Sequence, residues 1–380
     1  MNADPRAELA RLFSAGVAAV QGEAAVAKAL ANTAPIRFPA VLALGKAAAS
    51  MYLGAHPGLS SGHRALIVTK HGHATDPRLA GQTVEIIESS HPIPNADSLN
   101  AGRRCLKFVL ECTTETDLLV LVSGGASALV EDLVEGVDLA ELRRITDELV
   151  ASGADIATIN AKRKSLSRVK GGRLLAAFPG KSIHALAISD VQGDDIGTIG
   201  SGIGACANPT IPYRCEIVAS NAVARSAIAR LAEDHGLRVI RNEEILYGDV
   251  SDAADRIVAA CTDGPNGLYV FGGEPTVKLP HSPGEGGRNQ ALALLVAKRI
   301  ADRDDLICLV AGTDGTDGPT EAAGAIVDGK SFHKQPGADE ALARADAGRF
   351  LRETGDRLVT GPTGTNVMDL AIVRKLSPNP

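Results

Sequence analysis

Five glycine-rich stretches of this chain follow short apolar runs, and each carries residues able to bind or move an anion. Gly45-Lys46 follows VLAL, Ser123-Gly124-Gly125-Ala126-Ser127 follows LLVLV, and Asp190-Val191-Gln192-Gly193-Asp194-Asp195 follows ALAIS. Gly272-Gly273-Glu274 follows LYVF, and the stretch from Gly312 to Gly318 lies just beyond LICLV. Glycine lets backbone N–H groups approach an anion closely, and a following helix adds the positive end of its dipole. Phosphoryl transfer requires mainly positioning and neutralisation of spread negative charge, hence cations and carboxylates that hold Mg²⁺. Lys46 stands where a strand turns into a helix. Arg288 follows Gly284-Glu285-Gly286-Gly287 and opens the helical pattern RNQALALLVAKRI. Asp190, Asp194, Glu274, Asp314 and Asp317 are hard oxygen ligands of the kind Mg²⁺ takes. A basic stretch, Lys162, Arg163, Lys164, Arg168, Lys170 and Arg173, suits a small anionic ligand, with Lys164 and Lys170 as candidate substrate or phosphate contacts.

These residues need a frame that brings loop ends together. Candidate strands are VLAL (41–44), ALIVT (65–69), TVEIIE (83–88), LLVLV (118–122), HALAIS (184–189), EIVAS (216–220), LYVF (268–271) and LICLV (306–310). Continuous apolar runs of this length fit strands buried on both faces of a parallel sheet. Helical patterns lie between them. The clearest begins at Asp138 with Glu141 as a capping box, shows Leu139, Leu142, Ile145 and Leu149 on one face, and ends at Gly153. Such alternation predicts an α/β fold whose ligands bind beyond the carboxyl ends of the strands. The polar segment 241–266 is the weakest part of the pattern and places a domain boundary near it, giving domains of 1–235 and 236–380.

Composition narrows the function classes. With 380 residues, 45% hydrophobic and 22% charged, the chain is globular and long enough for two or three cores. A net charge of −6 argues against nucleic acid or an acidic membrane as partner. The six cysteines form no C-x-x-C pair and fit buried thiols of a reducing compartment. No apolar run is long enough to span a membrane, and the amino terminus reads as an amphipathic helix without a signal-peptide layout, so a cytoplasmic protein is expected. Self-association into a homo-oligomer is left open.

Two motif matches are set aside on context. Gly324-Ala325-Ile326-Val327-Asp328-Gly329-Lys330-Ser331 fits the P-loop spacing, but its interior reads as a strand rather than a loop after one. Gly200-Ser201-Gly202-Ile203-Gly204 is a partial dinucleotide fingerprint without its last glycine or a strand directly before it. His71, His73 and His91 lack metal-site spacing and read as turn or substrate hydrogen-bonding groups.

The motifs SSHPIPNADS, VLVSGGASAL, NAKRKSLSRVKGGRL, ISDVQGDD, GGEPTV, GEGGRNQALAL, AGTDGTDGPTEAAGAIVDG and TGTNVMDL occur here in one order over nearly the whole chain. In this the sequence resembles the class II glycerate kinases, sometimes labelled hydroxypyruvate reductases. The resemblance implies a Rossmann-like N-terminal domain with a largely parallel sheet, a smaller α/β C-terminal MOFRL domain, and an active site in the cleft. It implies ATP, Mg²⁺ or another divalent cation, and transfer to the 2-hydroxyl of D-glycerate to give 2-phosphoglycerate. Carried onto this chain, it makes Lys46 and Arg288 catalytic cations and Asp190 either the acceptor of the substrate proton or a metal ligand. Ser123, Gly124, Gly125 and Ser127 would bind substrate or phosphate. Gly272, Gly273, Glu274, Thr313 and Asn366 would face the nucleotide, and Asp190, Glu274, Asp314 and Asp317 the metal. The chain departs from the family at Ser165, often a His, and over 203–207; both departures make a related sugar acid the alternative acceptor. A nicotinamide-dependent hydroxypyruvate reductase is the alternative of a different class.

Overall fold

The computed structural model describes residues 4–31, 37–153 and 156–377. The chain forms two compact units, one of Gln21–Ala219 and one that combines Met1–Val20 with Ser220–Pro380.

The Gln21–Ala219 unit is built on six strands: β1 (Phe38–Leu44), β2 (Leu59–Lys70), β3 (Val84–Ser89), β4 (Asp117–Val122), β5 (Ser182–Ile188) and β6 (Tyr213–Ala219). Their order is β3-β2-β1-β4-β5-β6, and every neighbouring pair is parallel. The chain works outward from β1 to β3, then returns to lay β4 on the other side of β1. That reversal between β1 and β4 is the switch point at which loops from both directions diverge and leave a crevice. Leu118, Leu119, Val120, Leu121 and Val122 are wholly buried, as expected of a strand covered on both faces. The helix Leu139–Ala151 starts as the sequence predicts, with Glu141 N–H donating to Asp138 Oδ1 at 2.8 Å. The reciprocal half of the capping box is replaced, because the Glu141 carboxylate turns to Arg144.

The second unit carries β7 (Val239–Leu246), β8 (Gly267–Gly273), β9 (Leu306–Gly312), β10 (Gly324–Asp328), β11 (Arg357–Leu358) and β12 (Asp369–Lys375), in the order β11-β10-β9-β12-β8-β7. The parallel sheet expected from the apolar runs does not extend here. Only β7 and β8 pair in parallel, whereas β12 runs antiparallel between β8 and β9, and β9, β10 and β11 form an antiparallel series. An apolar run fixes burial on both faces, not strand direction, and both arrangements satisfy that condition. The P-loop-like stretch is β10 and the turn after it, as its apolar interior indicates.

The same unit is completed from the amino terminus. The helix Pro5–Ala19 is capped by Asp4, whose Oδ1 accepts from Arg6 N–H at 3.0 Å, with proline in the first turn where no donor is missed. It buries Leu9, Leu12, Phe13 and Val17 and packs on the helix Asn221–Asp234 and on β9 and β12. Arg6 donates to Asp328 at 2.6 Å and pairs with the buried Asp356 at 2.9 Å. The units divide the chain at 219/220, with residues 1–20 in the unit that carries the carboxyl-terminal segment.

Candidate functional site

Within the Gln21–Ala219 unit, the loops after β1, β4 and β5 meet at the switch point. Lys46 follows β1 in a tight turn whose N–H groups are fixed by the β4 loop: Lys46 N–H donates to Gly124 O at 3.0 Å, and Ala47 N–H to Ser123 Oγ at 3.0 Å. Ser123 is thus a buried clamp between two loops, and its hydroxyl is engaged there. The two glycines that follow are required by what lies against them. A Cβ at Gly124 would stand 2.0 Å from Asp190 Oδ2, so the carboxylate from the β5 loop rests on bare backbone. Gly125 has φ +83°, and a Cβ there would stand 3.1 Å from Lys46 Cγ and 3.3 Å from His91 Nε2. Lys46, Asp190 and His91 therefore gather on one dipeptide. Ser127, in the short helix Ala126–Leu129, shares a 2.7 Å hydroxyl hydrogen bond with Ser201. Ser201 lies in a left-handed turn (Gly200 φ +55°, Ser201 φ +61°, Gly202 φ +74°), which is what the fingerprint-like glycines build.

The basic stretch divides. Lys164 Nζ donates to Gly197 O at 2.7 Å and remains half-buried. Lys170 is completely buried in an ion pair with the equally buried Glu131. Burial pushes the Lys170 pKa down while Glu131 opposes that shift. A buried ammonium needs a partner of this kind, and the partner takes the charge that a phosphate would otherwise use. The departure at Ser165 ends a helix, its Oγ donating to Lys162 O at 2.7 Å, and Ile203 of the other departure is buried in the core.

In the second unit the centre is a residue that sequence reasoning did not single out. Asp369 opens β12, and its cross-strand neighbours on the two sides are Gly273 and Gly312. With no side chain on either flank, Arg288 from the first turn of the helix Arg288–Arg299 reaches it. Arg288 Nε donates to Asp369 Oδ2 at 2.6 Å, Nη2 to Oδ1 at 3.3 Å, and Nη1 lies 2.9 Å from Glu274. Asn289 Nδ2 donates to Asp369 Oδ1 at 2.9 Å. Burial pushes the Asp369 pKa up, against the pull of Arg288 and Asn289. Nearby, Thr313 Oγ1 donates to Met368 O and accepts from Val367 N–H at 2.8 Å, and Asn366 Oδ1 accepts from Met368 N–H at 3.0 Å. Met368 sits at φ +68°, so these bonds hold a strained turn directly before Asp369.

Other residues of the expected set have structural tasks. Asp317 Oδ1 accepts from Asn289 N–H at 3.0 Å, and Oδ2 from Gln290 N–H at 2.8 Å. It caps the helix Arg288–Arg299 in place of Gly287, whose missing Cβ admits it: a Cβ there would stand 2.3 Å from Asp317 Oδ1. Both oxygens are turned to the helix, and Gln290 Nε2 also donates to Oδ2 at 3.0 Å, so most of the carboxylate's acceptor capacity is engaged in the cap. Gly272 makes room for buried Asn221, which would lie 1.7 Å from a Cβ and which ties Val367 O and Asp369 O together at 3.0 Å each. Gly273, at φ +137°, packs on the backbone of Leu246. Asp314 Oδ1 accepts from Thr316 N–H at 3.0 Å, and Asp194 lies at φ +53° in a turn. Among the described residues, no three His, Cys, Asp or Glu side chains come together as a metal-holding group.

Comparison with known proteins places this geometry. Residues 8–233 match the domain of unknown function DUF4147, and residues 267–369 match the MOFRL family. The D-glycerate 2-kinase of Thermotoga maritima is 36% identical over 377 residues, covering 87% of this chain and 89% of that protein. A protein of Agrobacterium vitis named putative hydroxypyruvate reductase is 32% identical, covering 97% of this chain and 94% of its own. The crystal structure of a glycerate kinase from Thermotoga maritima superposes with a TM-score of 0.87 at 32% identity, covering 98% of this chain and 99% of that one.

Proposed function

The chain belongs to the glycerate kinase family, in which a DUF4147 region precedes a MOFRL region, and from that premise we propose that it transfers the γ-phosphoryl group of ATP to the 2-hydroxyl of D-glycerate. The observation that carries this reading is the gathering of Lys46 and Asp190 on Gly124-Gly125 at the switch point. The acceptor hydroxyl oxygen forms a bond to the γ-phosphorus as the bond from that phosphorus to the ADP oxygen breaks. Asp190 takes the hydroxyl proton, and Lys46 offsets charge on the phosphoryl oxygens. Arg288, held by Asp369 and Glu274, serves as the second cation.

The carboxylates fit a divalent cation that arrives with the nucleotide. Magnesium keeps several waters and phosphate oxygens and needs only one or two protein carboxylates, so a closed cluster is not required. Glu274 and Asp314 are the carboxylates that would hold it, supplying charge neutralisation on the phosphates. Asp317 is left out of this set because both its oxygens cap a helix.

A reductase reading finds support only in the name carried by some relatives. The dinucleotide-like glycines form a left-handed turn that begins no helix on a strand end, whereas nicotinamide binding uses a strand–turn–helix.

The test is ADP release from ATP, Mg²⁺ and D-glycerate, with ³¹P NMR to locate the phosphate. The expected product is 2-phosphoglycerate, and Lys46→Ala and Arg288→Ala each lower kcat by about 10²-fold or more. Formation of 3-phosphoglycerate would reject the 2-position. Turnover of another sugar acid but not of glycerate would reject the acceptor. Oxidation of NADH by hydroxypyruvate without ADP release would reject the kinase.

A further inference from the structure

We propose that His91, together with Lys46, Lys70 and His73, seats an oxyanion of the reactants, the carboxylate of a small hydroxy acid or a phosphate, over the bare backbone of Gly125. The inference rests on the kinase reading for the identity of the reactants, though not for the existence of the seat.

The four side chains come from the carboxyl ends of three adjacent parallel strands: Lys46 after β1, Lys70 and His73 at and after β2, and His91 after β3. Backbone contacts tie His73 to this group. His73 Nδ1 lies 3.2 Å from Lys46 O, and Lys70 O accepts from His73 N–H at 2.9 Å. The His91 ring and the Lys46 stem close on the same point above Gly125, where a Cβ would stand 3.1 Å from Lys46 Cγ and 3.2 Å from His91 Cδ2. The seat is therefore drawn from the ends of three neighbouring strands, not from one basic loop.

Its charge is predominantly positive. His91 is half-buried, and its pKa is pushed down to about 4, first by burial and then by Lys46, Lys70 and His73. Of the acidic groups, Asp190 rests on the adjoining Gly124. Two others are directed elsewhere: Glu88 accepts from Gly72 N–H at 2.9 Å, and Asp97 lies 3.4 Å from His71. A neutral imidazole in a positive field is what an anion would convert, since an opposite charge close by favours the protonated ring. A small acid or phosphate placed over Gly125 would raise the His91 pKa, and binding would be tighter at lower pH by the same linkage.

The experiment follows the His91 ring by ¹H–¹⁵N NMR through a pH titration of the whole protein, with His91→Gln to assign its signals. Titrations with D-glycerate, glycerol and inorganic phosphate separate the sources. D-Glycerate raising the His91 pKa by about one unit or more, with no change from glycerol, supports a carboxylate seat. A rise with phosphate alone supports a phosphate seat. No rise with either anion overturns the proposal, whatever the enzyme phosphorylates. In kinetics, His91→Gln raises KM by about tenfold for the reactant whose anion occupies the seat and leaves the other KM within about twofold. The two readings fail separately. A His91 response without ADP release rejects the kinase and keeps the seat, while ADP release with an unresponsive His91 does the reverse.

Discussion

At the scale of single residues, the arrangement turns on side chains whose partners lie far away in the chain. Asp369 is completely buried and receives two donors of Arg288 and one of Asn289. Removing its charge while keeping its shape leaves the guanidinium with Glu274 alone. Since Arg288 is about one-third exposed, the loss is less than for a fully buried pair: Asp369→Asn costs about 2 kcal/mol of stability. Because Arg288 is no longer fixed, kcat falls by about tenfold or more. Urea unfolding and steady-state kinetics measure the two effects, and an unchanged midpoint with unchanged kcat would show that Asp369 does not position Arg288. The positions of Lys46, Asp190 and Glu274 beyond strand ends, and of Arg288 at a helix start, were legible in the sequence because glycine-rich stretches follow apolar runs there. Asp369 was not, because it opens a strand whose pairing is invisible until β8 and β9 are placed beside it. Lys170 was read as a ligand contact because a basic run does not disclose that one of its members faces a buried Glu131.

At the scale of elements, eight apolar runs marked eight strands, since two-sided burial leaves a continuous hydrophobic signature. β7 escaped because VIRNEEIL carries its polar residues on a partly exposed edge strand, and the directions of the second sheet escaped because burial does not encode them. The helix Arg288–Arg299 shows how an element can be started from a distance. Its own cap residue, Gly287, offers no side chain, and Asp317 supplies the acceptors from a loop beyond β9. Asp317→Ala is expected to cost about 2 kcal/mol, from the lost cap and the lost charge at the helix amino terminus. Urea denaturation reads that cost, and the Mg²⁺ concentration for half-maximal activity reads the competing role. A cap leaves the Mg²⁺ dependence of the folded variant near that of the parent. A large selective rise in the Mg²⁺ requirement, with stability intact, would make Asp317 a metal ligand after all.

At the scale of the whole molecule, the carboxyl-terminal unit is discontinuous in sequence. The helix Pro5–Ala19 contributes Leu9, Leu12, Phe13 and Val17 to that unit, each nearly or fully buried, and Arg6 joins it through Asp328 and Asp356. At about 1.5–3 kcal/mol for each large apolar side chain removed from water, those four contribute roughly 6–12 kcal/mol before ordering costs. That is comparable with the net stability of an ordinary domain, so the helix is integral to the unit rather than an appendage. Phe13→Ala in the full chain should therefore lower stability by about 3–5 kcal/mol, and the amides of β9 and β12, on which the helix packs, should lose hydrogen-exchange protection. A fragment of 220–380 should lack a cooperative unfolding transition, and a fragment in which residues 4–20 are supplied by a flexible linker should regain one. Equal melting behaviour of the two fragments, together with a Phe13→Ala variant as stable as the parent, would mean that the amino-terminal helix rests on a unit already complete without it.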